Sequence, residues 1–97
     1  MSTDKGMDKQ RFLISSGIQV QTLELWIEQH WLVPRETAEG LEFTDTDVAR
    51  AGFIRELKQD FGANDAGIDV ILHLVDQIHG LRQILSDLRA GMEKPLE

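Results

Sequence analysis

Apolar and polar positions follow a helical rhythm along most of this chain, and the rhythm breaks in three places. Phe12, Leu13 and Ile14 precede Ser15-Ser16-Gly17-Ile18. This pattern predicts a short helix over residues 8–16 that ends at Gly17, since glycine enters the left-handed conformation of a helix end without a Cβ penalty. Leu23, Trp26, Ile27 and Trp31 then fall at i, i+3, i+4 and i+8, one face of a second helix over residues 19–29. Two helices joined by a tight glycine turn make a helix-turn-helix unit.

The period next shortens. Leu32-Val33-Pro34 and Leu41-Glu42-Phe43 flank Arg35-Glu36-Thr37-Ala38-Glu39-Gly40. Pro34 disfavours helix at Val33 and Gly40 supplies turn chemistry, so a small β-hairpin or wing is expected. Thr44 or Asp45 caps a third helix, with Asp47 well placed in its first turn. Val48, Ala51, Phe53, Ile54, Leu57 and Phe61 form its expected buried side, and Gly62 closes it.

The last helix is the longest. Asn64 or Asp65 caps it, and Ile68, Ile71, Leu72, Val75, Ile78, Leu81, Leu85 and Leu88 carry its apolar pattern to about residue 90. Such a helix overhangs a domain this small, and its stripe needs a partner. A second copy is the simplest one, so Ile68, Ile71, Val75, Ile78 and Leu85 are the expected dimer contacts. Arg82 interrupts that seam and Gly80 weakens it, which favours a short antiparallel pairing over an extended coiled coil. The expected organisation is a tail over residues 1–7, a winged helix-turn-helix region over 8–62, the long helix of the same domain over 63–91, and a tail over 92–97.

Composition narrows the function. The chain has 97 residues, enough for one small core. Ten basic residues against 17 acidic ones leave a net charge of −7, the wrong sign for a generic nucleic-acid binder. Between Thr22 and Val48 the only base is Arg35, against Glu24, Glu28, Glu36, Glu39, Glu42, Asp45 and Asp47. The absence of cysteine removes disulfides, thiolate metal sites and thiol nucleophiles together. No apolar run approaches the roughly 20 residues of a spanning helix, and the start of the chain lacks the apolar core of a signal peptide. A cytoplasmic protein is expected, near the nucleoid only if its partner carries it there.

Catalytic chemistry finds no foothold. Ser15-Ser16 read as turn and cap residues rather than a nucleophile. The eight glycines are scattered at turns and helix ends, not gathered into a phosphate loop. His73, Asp76 and His79 recur every third residue, but the outer two diverge by about 120° around a helix and the i, i+4 pair of metal-binding helices is missing. A non-enzyme without a cofactor or metal is expected.

Helix-turn-helix, wing, helix and long terminal helix, in that order, resemble the MerR-like winged-helix architecture. Gly17-Ile18, Thr22-Leu23, Leu32-Val33, Gly40-Leu41-Glu42-Phe43 and Asp47-Val48 carry the resemblance. It implies a mostly α fold with a small β wing and a C-terminal dimerisation helix. The MerR pattern has an arginine and two tyrosines after Thr-Leu and an arginine in the wing. Here Glu24, Leu25, Trp26 and Glu42 stand in those places, so weak or absent DNA binding is expected. Leu74-Val75-Asp76-Gln77-Ile78 with Leu81-Arg82-Gln83, and Gly17-Ile18 with Leu32-Val33-Pro34-Arg35-Glu36, are similar to the chaperone-modulator family CbpM.

That resemblance implies a protein-binding regulator that inhibits the J-domain of a CbpA- or DnaJ-like co-chaperone. A J-domain acts on its Hsp70 through a basic helix, which an acidic surface can cover. Glu24, Glu28, Glu36, Glu39 and Glu42 are the expected partner-binding acids, with Trp31 as an aromatic anchor. A MerR-type DNA-binding transcriptional regulator is the alternative.

Overall fold

The computed structural model describes residues 6–93. The element order is α1 (Lys9–Ser16), α2 (Val20–Glu28), β1 (Arg35–Thr37), β2 (Gly40–Glu42), α3 (Asp45–Gln59) and α4 (Asp65–Glu93). This is the mostly helical, winged architecture expected from the sequence. The chain forms two compact units, one reaching Asn64 and one starting at Asp65.

In the first unit each boundary has a local cause. The Asp8 side chain accepts from the Arg11 N–H and caps α1. Gly17, at φ 76°, ends α1 and sends its N–H to the Leu13 carbonyl. Thr44 and Asp47 form a reciprocal capping box at the start of α3, satisfying two otherwise orphaned donors. The hairpin is tighter than expected. Its strands begin after Pro34 and pair antiparallel, Arg35 with Glu42 and Thr37 with Gly40. Met7, expected in the tail, instead forms a bridge with Phe43, with bonds of 2.7 and 2.8 Å.

Phe12, Leu23, Leu32, Phe43 and Ile54 are fully buried, each contributing about 1.5–3 kcal/mol by leaving water. Phe12 stacks on Phe43 at 4.3 Å between ring centroids, which locks α1 to the residue that follows β2. Two members of the expected α3 core are not in it: Phe53 is 37% and Phe61 77% exposed. α3 stops at Gln59, and Gly62 turns with φ 64° shortly afterwards. Phe61 therefore falls beyond the helix, off the buried stripe.

The end of α2 decides the fate of Trp31. Its N–H bonds the Trp26 carbonyl at 2.9 Å while the His30 N–H bonds the Ile27 carbonyl at 3.0 Å, the paired closure of a Schellman motif. The accompanying apolar contact is Trp26 against Trp31, 6.2 Å between ring centroids. His30 occupies the left-handed position, φ 65°, that this motif normally gives to glycine. A non-glycine residue there costs roughly 1–2 kcal/mol, and glycine gives back up to about 1 kcal/mol in chain entropy. His30→Gly is thus expected to stabilise the protein by about 0.5–1 kcal/mol, read as a rise of several degrees in thermal midpoint. A lowered midpoint would mean that the imidazole is needed.

The second unit is the 29-residue helix α4, about 43 Å long. Ile68 and Leu72 are buried, and Ile71 and Val75 are half-buried. Leu74, Ile78, Leu81, Leu85, Leu88 and Met92 are 50 to 84% exposed. Among the described residues no helix is long and apolar enough to cross a membrane.

Candidate functional site

In a helix-turn-helix unit the second helix is the reading helix, because its outward face is free of the core. α2 buries Leu23 and Trp26 and exposes Gln21, Glu24, Leu25 and Glu28. These four fall at i, i+3, i+4 and i+7, one stripe of the helix. The stripe holds two carboxylates, one amide and an apolar side chain 45% exposed. It holds no base.

The bases elsewhere in the first unit have internal tasks. Arg35 donates twice to Glu42 Oε1, at 3.1 and 2.5 Å. Arg50 Nε donates to the Trp31 carbonyl at 2.5 Å and Arg55 Nη1 to the Ser16 carbonyl at 3.1 Å. The two α3 arginines therefore fasten the end of α1 and the loop that follows α2. Lys58 Nζ sits 5.8 Å from the Trp31 ring centroid, within cation–π range. Lys9 lies 3.8 Å from Glu24. Of the six described bases up to Asn64, Arg11 alone has no such side-chain contact.

The expected partner-binding residues separate into three groups. Glu28, Glu36 and Glu39 are exposed, on α2 and the hairpin, and make no ion pair among the described residues. Glu24 is exposed but has Lys9 beside it, and at that distance between exposed groups the pairing is weak. Glu42 and Trp31 are corrections. Glu42 is held by Arg35, and a Cβ added to Gly6 would collide with its carboxylate, so Gly6 closes over it from the other side. Trp31 is 2% exposed: the Schellman closure tucks the ring onto Trp26 and leaves no face for a partner. Leu25, 45% exposed, is an apolar side chain on the same face that the sequence expectation did not include. Its signal is present in the sequence, between Glu24 and Glu28 on the side of the helix away from Leu23 and Trp26.

The expected dimer contacts also change. Ile68 is buried and Val75 half-buried, whereas Ile71 (half-buried), Ile78 and Leu85 lie on one largely exposed apolar stripe. That stripe is Ile71, Leu74, Ile78, Leu81, Leu85, Leu88 and Met92, spaced 3, 4, 3, 4, 3 and 4. Seven successive a and d positions of a heptad repeat are apolar. Ile71, Ile78 and Leu85 of the expected contacts lie on this stripe and Ile68 and Val75 lie off it, while Arg82, expected to interrupt the seam, flanks it at position e. An open groove of about 570 Å³ runs along Leu85, Leu88 and Met92 between Arg82 and Arg89. Among the described residues no group of three His, Cys, Asp or Glu side chains is arranged to hold a metal ion.

A helix-turn-helix with a two-stranded wing and a long terminal helix defines a class of regulatory domains. Residues 8–90 match the family model described as MerR HTH family regulatory protein, and the chain belongs to that family. No curated protein matches it.

Proposed function

We propose that this chain is a co-chaperone modulator, which binds the J-domain of a CbpA- or DnaJ-like protein and keeps it from its Hsp70. One observation carries the reading. The outward stripe of α2, where a DNA reader of this family needs bases, presents Glu24, Leu25 and Glu28 instead. Phosphate would meet like charge there; the basic helix of a J-domain meets opposite charge and an apolar contact. Glu36 and Glu39 extend the same sign onto the hairpin. The likeness of the α4 motifs to CbpM supports the same partner. Long-range attraction between such surfaces speeds association and makes it salt-sensitive.

The chain acts as a homodimer in this reading, paired through the exposed a/d seam of α4. It works by occlusion, with no chemistry of its own. A MerR-type transcriptional regulator is the second reading, favoured by the family to which the chain belongs. The two separate in an assay of Hsp70 ATPase stimulated by the J-domain protein. Stoichiometric addition of this chain lowers the stimulated rate toward the unstimulated one. An unchanged rate contradicts the modulator reading.

A further inference from the structure

The two sides of the α4 seam differ in chemistry. With Ile71 and Ile78 at position a and Leu74 and Leu81 at d, the e side carries Val75, Arg82 and Arg89, while the g side carries Val70, Gln77, Ile84 and Gly91. Both arginines of α4 thus stand on one side. On the other, Val70 is 59% and Ile84 56% exposed. Asp69, Asp76 and Asp87 lie in the rows beyond g, and no lysine or arginine occupies rows c, f or g between residues 69 and 91.

Glycine weakens a helix interior relative to alanine, yet Gly80 and Gly91 stand on this same side, and a Cβ built on either meets nothing within 4 Å. No described atom of this chain needs the room. Val70 and Ile84, with Gln77 between them, widen the apolar face beyond the a and d seam at those two places.

We infer that the g side of α4 is a second docking edge, which takes an amphipathic helix with a basic flank from the protein partner. Ile84 and Val70 receive its apolar side, Gly80 and Gly91 let its backbone approach, and the aspartate rows attract its lysines and arginines. A second pair of α4 helices is the disfavoured occupant, because its aspartate rows would face those of the first. The edge flanks the a/d seam on the side away from the arginines of row e. The occupant, a helix of the J-domain protein other than the one that meets α2, rests on the modulator reading.

The test titrates the whole chain against the J-domain protein by calorimetry and follows its mass by sedimentation, for the unaltered protein, Ile84→Lys, Asp87→Lys and Ser86→Lys. Ile84→Lys should lower affinity about tenfold, the scale of losing one interface anchor, with the mass unchanged. Asp87→Lys, which leaves the apolar rows intact and so guards against misfolding, should lower it about threefold. Ser86→Lys, at position b, should change neither. Undiminished affinity in both Ile84→Lys and Asp87→Lys overturns the docking edge and leaves the modulator reading standing. An assembly larger than a dimer that Ile84→Lys reduces to a dimer also overturns it, in favour of a second pair. No binding by the unaltered chain overturns the modulator reading, and this occupant with it.

Discussion

Replacing Ile78 and Leu81 together by aspartate should leave the chain folded and monomeric, sedimenting at 11.0 kDa, where the proposed dimer of the unaltered protein would sediment at twice that mass. Both side chains are at least half exposed, so the substitution removes little from the fold of a single copy. Antiparallel pairing sets a against d. It places Ile78 against Leu81, Leu74 against Leu85 and Ile71 against Leu88 of a second copy. Every layer is apolar, and Arg82 falls beside the other Val75 rather than the other Arg82. Each such side chain contributes about 1.5–3 kcal/mol when fully covered. A carboxylate buried there without a partner costs several kcal/mol more, enough to abolish association at micromolar concentration. A folded variant with an undiminished dimer mass would exclude α4 as the pairing helix.

Reversing Glu24 and Glu28 to lysine should weaken J-domain binding about ten- to a hundredfold at low salt, mainly through the association rate. Glu28 closes α2 at its C-terminal end, where a lysine suits the helix dipole better than a carboxylate. Only the weak pairing of Glu24 with Lys9 disappears from the fold, so the double variant is expected to stay folded. Salt gives the independent check. Wild-type affinity should fall as ionic strength rises, and the variant's response should be flatter. Equal affinities with equally flat salt responses would remove the α2 face from the interface.

The helices were legible because their causes are local. Asp8, Gly17, Thr44 and Asp47 end or start elements through bonds to residues three or four positions away, and the apolar spacing of α2 names its buried face. Charge reversal between Thr22 and Val48 was legible for the same reason, since it needs only the residue types and their order. Trp31 was not. Its burial depends on a Schellman closure whose usual glycine is a histidine, so no residue type there signals the turn that folds the ring back. Glu42 was misread because its two neighbours, Arg35 across the hairpin and Gly6 near the start of the chain, are set by strand pairing.

The α4 seam was half legible. Its apolar residues fit two neighbouring stripes, and only burial of Ile68 and Leu72 separates the covered stripe from the open one. Phe53 and Phe61 teach the same lesson about α3. Apolar spacing names a face; how far round the helix that face is covered depends on what packs there.

The most direct measurement of the central claim is calorimetric titration of this chain against the isolated J-domain of a CbpA-like co-chaperone from the same organism, at two temperatures and two salt concentrations. Two temperatures guard against an accidental zero of binding enthalpy. The modulator account predicts saturable binding, micromolar or tighter, that weakens at the higher salt. No heat at either temperature would contradict it and leave a MerR-family scaffold whose partner must be sought among DNA sites and other proteins.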